Sequence, residues 1–282
     1  MDHLDPKILF KVNLEVKLIA DNLGYNNVLI HSDIKNLFLF EFKSKSDFLE
    51  KHLRNINDIF YEFNIWMPSF NYDFTKTGIY NVKEDKCQVG VLNNYYRSSC
   101  DWRTTTPVFN FYGTGKYPIN KIHSENNINP FLYGSEFHYL YESNSLYCHY
   151  GSNISHSTLL HYVENISENL LYRYSKKFHG VIKDKGFTAK VVLDYHVTPL
   201  KTRVKYNWVK IHLDLLKENL IHEYKIFGDV NYISIFSVKK VSDYWIDKIK
   251  GDPFYFLDEE SKKWVIPKID QLGRGFELND FE

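Results

Sequence analysis

The chain has 282 residues, 44% of them hydrophobic, which is enough for one large folded domain or two small ones and argues against disorder. Lysine plus arginine equals aspartate plus glutamate at 35 each, so no basic excess indicates nucleic acid and no acidic excess indicates a polycationic ligand. Because the sequence has no repeat, Gly/Ser linker or low-complexity run, we expect one continuous domain over residues 1–282.

The cysteines and the N-terminal residues bear on the compartment. Cys87, Cys100 and Cys148 are odd in number and lack C-x-x-C spacing, which speaks against a disulfide framework and predicts reduced thiols. The first residues are partly acidic and lead into no uninterrupted apolar region, and no window of about 18 apolar residues occurs. We therefore expect a cytoplasmic protein that binds neither membrane nor nucleic acid. Its oligomeric state stays open, a homodimer included.

Helices and strands are predicted in alternation from the N-terminus. Residues 7–23 favour a helix that ends at Gly24, and the next apolar run, Val28 to Ile30, is typical of a short buried strand. Ser46 is expected to cap a second helix with apolar residues at helical spacing.

The order of the next elements predicts the fold class. Residues 63–67 favour a second strand that Pro68 ends. Residues 95–118 are typical of loops with short strands, residues 230–238 of a strand, and residues 242–250 of a helix. This order predicts an α/β fold, a layered mixed sheet flanked by helices, in which loops at strand ends build the site.

Residues 151–164 carry the most informative local pattern. A Ser or Thr before an apolar run marks a helix start, and His161 and Glu164 are three residues apart, so they share one face of that helix. The partial positive charge of a helix N-terminus lowers the pKa of a histidine in its first turn. The pair is therefore predicted to act as a general base, and the alternative is a solvated polar helix face.

Four more short motifs accompany this one in chain order. The five segments are His31-Ser32-Asp33-Ile34, Met67-Pro68-Ser69-Phe70, residues 103–107, residues 129–135 and residues 157–164. Together they resemble elements of the aminoglycoside 3-N-acetyltransferases, enzymes of an α/β fold that move an acetyl group from acetyl-coenzyme A to a sugar amine. The resemblance covers about residues 1–180.

The departures from the family's pattern bear on the substrates. Asp33 replaces a serine, Thr106 replaces a histidine and Ser157 replaces an asparagine. Residues 181–282 carry no recognised motif and form a divergent part, compatible with acceptor recognition. The acceptor and the acyl group are left open by these changes.

The resemblance implies acyl-coenzyme A, with an acetyl or short hydroxyacyl group, as co-substrate. Backbone amides at a helix N-terminus, a hydroxyl and an arginine suit its phosphates. The cofactor-binding residues implied by the motifs are His31, Ser32, Asp33, Met67, Pro68, Ser69, Phe70, Arg103, Thr104 and Pro107.

The resemblance also implies catalytic roles. His161 is expected to take a proton from the sugar ammonium, and Glu164 to fix the imidazole tautomer or hold the ammonium. Thr158, through its hydroxyl or nearby backbone N–H groups, is expected to stabilise the oxyanion.

The acceptor is argued from charge. A neutral chain suits a neutral or anionic amino sugar better than a polycationic aminoglycoside, which favours a dTDP- or UDP-linked sugar such as a 3-amino-3,6-dideoxyhexose for surface polysaccharide. Candidate substrate-binding residues are Tyr72, Asp73, Tyr133, Glu136 and Tyr139. The alternatives are an aminoglycoside acetyltransferase that confers antibiotic resistance and, given 22 Tyr and 21 Phe, a non-catalytic glycan-binding module.

A metal site is the remaining candidate. Cys148, His149, His156 and His161 lie close together in the sequence and are all zinc-ligand types. Their spacing matches no compact zinc pattern, and H-E-x-x-H is absent. We therefore predict no metal.

Overall fold

The computed structural model describes residues 5–22, 24–117, 127–167, 170–199, 204–226 and 230–281. The helices within these ranges are α1 (Pro6–Asn22), α2 (Lys45–Ile59), α3 (Phe74–Thr77), α4 (Val91–Tyr96), α5 (Glu136–Glu142), α6 (Leu159–Ile166), α7 (Trp208–Lys217), α8 (Val238–Gly251) and α9 (Glu259–Leu272). The strands are β1 (Asn27–Ser32), β2 (Asn64–Pro68), β3 (Ile79–Asn81), β4 (Trp102–Arg103), β5 (Phe111–Gly113), β6 (Asn127–Ile128), β7 (Leu146–Tyr150), β8 (Tyr174–Asp184), β9 (Phe187–Val197), β10 (His222–Ile226) and β11 (Val230–Ser237).

A seven-stranded mixed sheet forms the centre, in the order β10-β11-β7-β1-β2-β5-β4. Strand β1 pairs in parallel with β2 and β7, and the outer strands are antiparallel. A second sheet, β3-β8-β9-β6, is built on the long antiparallel hairpin of β8 and β9. The predicted layered α/β fold with a mixed sheet is confirmed; the second sheet was not predicted.

Helices cover both faces of the large sheet because its central strands are apolar on both sides. In β1, Val28 and Ile30 face a cluster that includes residues of α1, α2 and α4. Leu29 points the other way, as the two-residue period of a strand requires, and packs in a cluster with residues of α5 to α8. All five residues of β7 are buried. The strands that lead to the site are thus fixed on both faces.

The N-terminal elements differ from their predictions only at the ends. The first helix ends at Asn22, Gly24 follows with φ +66°, and residue 23 lies outside the described residues. The side chain of Ser44, rather than the predicted Ser46, caps α2. A helix is capped by the residue just before its first helical residue. Ser44 and Ser46 are both suitable capping residues and lie two positions apart, so the sequence alone does not distinguish them.

The prediction that the second strand stops before Pro68 is wrong by one residue. Pro68 is the last residue of β2 and lies opposite Phe111 of β5. On the other side, the pairing of β2 with β1 ends at Leu29 and Trp66. Strand β1 therefore needs no hydrogen bond from a backbone N–H at Pro68, which proline could not supply.

Helix α8 also begins earlier than predicted. It follows β11 directly at Val238, and the side chain of Ser237 accepts a hydrogen bond from the N–H of Lys240. Ser242, the predicted first residue, is fully buried inside the helix. Short strands and loops occupy residues 97–117, as the sequence predicts, but residues 95 and 96 end α4 instead, and Pro118 lies outside the described residues.

The carboxyl ends of β1, β2 and β7 meet at one edge of the sheet, since the three strands are parallel neighbours. At this edge Gly151, just after β7, has φ +67°. A Cβ atom there would lie 2.3 Å from the carbonyl oxygen of Asp33, just after β1. Only glycine allows the two loops to approach this closely.

Candidate active site

A cavity of about 440 Å³ lies at this edge of the sheet, which is where parallel α/β sheets bind ligands. Its walls come from the loops after β1 and β2, the start of α4 and the segment between β7 and α6. The lining residues important for the argument are His31, Ser32, Asp33, Lys35, Pro68, Phe70, Tyr72, Asn93, Ser152, His156 and Thr158.

Asn93 on α4 ties two of the predicted motifs together. It accepts a hydrogen bond from the hydroxyl of Ser32 at 2.9 Å and donates one to the carbonyl of Pro68 at 2.8 Å. On the other side, the hydroxyl of Ser152 donates to the carbonyl of His31 at 2.9 Å. Sequence reasoning missed Asn93, because nothing in the short α4 sequence marks it.

His31 forms a buried part of the cavity wall. Only 8% of it is exposed, and its ring stacks on Tyr147 with centroids 5.1 Å apart. Burial lowers the pKa of His31 to about 3, so the ring is uncharged at neutral pH. It offers ring surface rather than positive charge to a ligand. The exposed Asp33 also lines the cavity and accepts a hydrogen bond from the N–H of Lys35.

The second motif is divided between the cavity and the core. Pro68 and Phe70 line the cavity, whereas Met67 and Ser69 do not. Met67 packs in the core beneath β2, and the Ser69 hydroxyl donates to the side chain of Asn110. Alternate residues of an extended chain point in opposite directions, so only two of the four predicted residues reach the cavity.

Arg103 is not placed as predicted, because its guanidinium is engaged inside the protein. It donates to the carbonyls of Val82, Asp85 and Ser69 and to the side chain of Asn110. These bonds take up at least four of its five N–H groups.

The other residues of the third motif are also internal. Thr104 is fully buried and its hydroxyl accepts from the N–H of Phe111, while Pro107 is buried outside the cavity wall. The hydroxyl of Thr106, the residue that replaces the family's histidine, donates to Glu136 at 2.7 Å. This segment therefore braces the site and does not line the cavity.

Helix α6 brings His161 and Glu164 together. Thr158 precedes the helix, and the Nδ1 atom of His161 lies 3.1 Å from Oε2 of Glu164. This contact follows from the three-residue spacing on one helix face.

Glu164 is fully buried, so the alternative of a solvated polar helix face is wrong. Its carboxylate accepts hydrogen bonds from the hydroxyls of Tyr172 at 2.7 Å and Tyr206 at 2.9 Å, and Nε of Arg173 lies 2.9 Å from Oε2. Burial acts to raise the pKa of Glu164, but Arg173 and His161 outweigh it and hold that pKa below its usual range. The carboxylate is thus ionised and fully partnered.

His161 is uncharged at neutral pH, as expected, but for another reason. Burial lowers the pKa of His161 first, and the neighbouring Arg173 cation lowers it further, while Glu164 acts in the opposite direction. The sequence-based reasoning had relied on the helix N-terminus. The side chain is 28% exposed and its ring packs edge-on against Phe131, with centroids 5.7 Å apart. Among the described residues, none hydrogen-bonds to Nε2, so this nitrogen is free to accept a proton.

Thr158 connects this pair to the cavity. It lies in the cavity wall, three residues before His161, which itself is not part of that wall. The backbone N–H of Thr158 donates to the hydroxyl of Tyr147 at 3.2 Å. The N–H of Thr158 is therefore engaged, and the side-chain hydroxyl is the other donor that this residue offers to an oxyanion.

The predicted acceptor-binding residues do not form one cluster. Tyr72 is 42% exposed and lines the cavity, and Asp73 beside it is exposed. Tyr133 is exposed away from the cavity wall. Glu136 is buried, and Tyr139 stacks on Trp66 in the core, so these two are not placed to contact an acceptor as predicted. A helix buries the residues on its inner face whatever their polarity, provided that partners are present.

Besides Asn93, sequence reasoning missed Arg173, Tyr172 and Tyr206 in the candidate site. All three contact Glu164. They lie 8 to 42 residues from it along the chain, and no short motif spans that separation. Only the folded arrangement of β8 and the segment before α7 reveals them.

No metal centre is found among the described residues, where no three His, Cys, Asp or Glu side chains gather to hold an ion. Cys87, Cys100 and Cys148 are free cysteines. In the same part of the chain, no helix has the length and apolar character needed to span a membrane.

Comparisons with known proteins define the fold. The sequence matches no protein-family profile and no curated protein. Among solved structures, AAC-IIIb in a binary complex with CoASH has a TM-score of 0.65 and 11% identity, with 85% of this chain and 96% of that chain covered. Aminoglycoside acetyltransferase AAC(3)-Xa has a TM-score of 0.64 and 13% identity, covering 84% and 92%. The AAC(3)-IVa apoenzyme has a TM-score of 0.60 and 17% identity, covering 92% and 96%. The chain has the fold of the aminoglycoside 3-N-acetyltransferases.

Proposed function

We propose that this protein is an acyl-coenzyme A-dependent N-acyltransferase that acylates the amine of a sugar. The observation that carries the proposal is the His161–Glu164 pair on α6, a helix that follows Thr158 in the wall of the cavity at the carboxyl edge of the sheet. A similar fold occurs in AAC-IIIb, whose structure contains CoASH. A glycan-binding module has no need of an uncharged histidine held by a buried carboxylate.

The cavity suits the thioester substrate. Pro68 and Phe70 supply apolar surface for the pantetheine arm, and the ammonium of Lys35 supplies a polar contact for phosphate. Asp33 lines the same cavity, and its negative charge acts against phosphate binding there. We assign the coenzyme to this cavity with its thioester end towards Thr158.

His161 and Glu164 have separate roles in the proposed reaction. The sugar ammonium, with a pKa of about 8 by analogy with α-amino groups, loses a proton to Nε2 of His161. Nδ1–H of the same ring donates to Glu164 and fixes the tautomer. The amine attacks the thioester carbon, the Thr158 hydroxyl stabilises the oxyanion, and the C–N bond forms. The C–S bond then breaks, and the thiolate takes the proton held by His161. The attacking nitrogen releases its second proton to solvent, which leaves a neutral amide.

For the acceptor we favour a nucleotide-linked amino sugar, with either dTDP or UDP. The Glu164 carboxylate beside His161 is neutralised by Arg173, so it does not add negative charge to attract a polycation. The exposed ring of Tyr72 on the cavity wall offers a surface on which a pyrimidine can stack.

An aminoglycoside is the second candidate acceptor. It is favoured by the complexes of AAC(3)-IVa with gentamicin and with apramycin, which share the fold at 14% and 16% identity. The two candidates differ in charge, which makes them separable by experiment.

The test is release of free thiol from acetyl- or hydroxybutanoyl-coenzyme A in the presence of dTDP- and UDP-linked amino sugars, gentamicin and apramycin. We expect thiol release with an amino sugar and none with the matched hydroxyl sugar. Faster acylation of gentamicin than of every nucleotide sugar would overturn the acceptor assignment. Sugar binding without any thiol release would favour the glycan-binding module.

A further inference from the structure

Arg173 contacts both members of the His161–Glu164 pair. Its Nε atom lies 2.9 Å from Oε2 of Glu164, and an Nη2 atom lies 3.1 Å from Nδ1 of His161. The arginine side chain is only 9% exposed. It precedes β8 directly, between two tyrosines that are both buried.

The guanidinium is held in place from three sides. Its Nη1 donates to the carbonyl of His196 on β9 at 2.8 Å, and its Nη2 donates to the hydroxyl of Tyr206. Tyr172 and Tyr174 on either side pack in a hydrophobic cluster with residues of α9. The arginine is therefore fixed by the divergent C-terminal part of the chain and reaches back to α6.

The Nδ1 atom of His161 has two neighbours with opposite requirements. Glu164 can only accept a hydrogen bond, whereas Arg173 can only donate one. A ring that acts as a base at Nε2 must carry its hydrogen on Nδ1, and only Glu164 can accept that hydrogen. Without the Arg173 cation, the buried Glu164 carboxylate would also favour the imidazolium form of His161, which cannot act as a base.

We propose that Arg173 is a positioning residue for the pair: it neutralises Glu164, so that the carboxylate orients the His161 ring without holding it in the protonated form. His161, Glu164 and Arg173 then carry a net charge of zero together in the resting state. The role of Arg173 in catalysis rests on the proposed function, whereas its contacts with His161 and Glu164 do not.

The groups that face the pair come from several elements. They are Glu164 on α6, Tyr172 and Arg173 before β8, His196 on β9 and Tyr206 before α7. Arg173 is the cation that contacts both members of the pair. Removing its charge is therefore expected to change the proton affinity of the pair most directly.

The test is a nitrogen-15 NMR titration of the histidine rings in the full chain, with His161→Gln used to assign the signal. In Arg173→Met, loss of the cation should move proton uptake by the pair to higher pH by about one unit, a tenfold change in affinity. Arg173→Lys keeps the charge and should titrate within about 0.3 unit of the natural protein. Arg274→Met, at an exposed arginine paired with Asp280, is the matched control and should change nothing.

The acid limb of the pH profile of kcat/KM should shift by the same amount in Arg173→Met, whereas a purely structural role would lower the rate without moving the limb. An unchanged titration in a folded Arg173→Met or Arg173→Gln variant contradicts the proposal. If neither variant folds, a one-unit shift in Arg173→Lys contradicts it equally. The titration needs no activity, so its outcome is independent of whether acyl transfer is observed.

Discussion

At the scale of single residues, the candidate site combines a half-buried histidine ring with a carboxylate that is completely enclosed. Glu164 has three polar partners besides His161, and none of its surface reaches solvent. A charge in such a position stabilises the fold only as long as its partners are present, because desolvation of a lone charge is unfavourable. The His161–Glu164 pair, which we propose is catalytic, is therefore also a structural element.

Replacing Glu164 tests this coupling. Glu164→Gln keeps the shape but leaves the buried Arg173 without its counter-ion, and we expect a loss of about 3–5 kcal/mol in the free energy of unfolding. Urea denaturation at pH 7 measures it. Glu277→Gln is the control, since Glu277 is 60% exposed and its substitution should change stability by less than about 0.5 kcal/mol. Equal effects of the two substitutions would show that Glu164 is not an enclosed charge.

At the scale of secondary-structure elements, the site depends on how the loops after β1 and β7 meet. Asp33 lies after β1 and Gly151 after β7, and the backbone N–H of Asp33 donates to the carbonyl of Tyr150 at 2.9 Å. The end of β1 supplies His31 and Ser32 to the cavity wall, and the segment after β7 supplies Ser152 and Thr158. Their close approach therefore sets the shape of the cavity.

Gly151→Ala should disturb that approach. The added Cβ would meet the Asp33 carbonyl oxygen at 2.3 Å, in a backbone conformation that already disfavours side chains. Gly186→Ala is the matched control, with φ +83° and nothing within 4 Å of the added atom. We expect Gly186→Ala to lower stability by about 1 kcal/mol and Gly151→Ala to lower it by at least 1 kcal/mol more. Thermal unfolding gives both values, and equal losses would contradict the steric argument.

At the scale of the whole molecule, several histidines are buried as neutral rings in different elements. Burial lowers the pKa of His31 in β1 to about 3 and that of His52 in α2 to about 4, and it also lowers the pKa of His149 in β7. In the unfolded chain these side chains titrate near pH 6.5. The unfolded state therefore binds more protons than the folded state below that pH.

The sign of the pH dependence follows directly. Since the folded pKa values are lowered, the stabilisation is complete above pH 6.5 and is lost as the pH falls towards 4. Each of His31 and His52 should account for a loss of about 2 kcal/mol between pH 7 and pH 5. Urea denaturation at the two pH values measures the total loss in the free energy of unfolding. His52→Gln should reduce that loss by about 2 kcal/mol. His179→Gln, at an exposed position, should leave the total loss unchanged. The same pH dependence of stability in both variants would contradict the assignment of part of the loss to His52.

The sequence predicted the parts of the molecule that depend on neighbouring residues. The alternation of β1, α2 and β2 follows from hydrophobic spacing, and the meeting of His161 with Glu164 follows from their places on one helix. Contacts between distant segments were not predictable in this way. The internal partners of Arg103 and the approach of Arg173 to α6 depend on loops and on the β8–β9 hairpin, whose packing leaves no short pattern in the sequence.

The central claim is that His161 takes the proton from the acceptor amine. The most direct measurement compares turnover and coenzyme A binding for the natural protein and His161→Ala, with thiol release for the first and calorimetry for the second. We predict that turnover falls by at least about a hundredfold while the dissociation constant for coenzyme A changes by less than about threefold. Unchanged turnover in a folded His161→Ala protein would remove His161 from the mechanism.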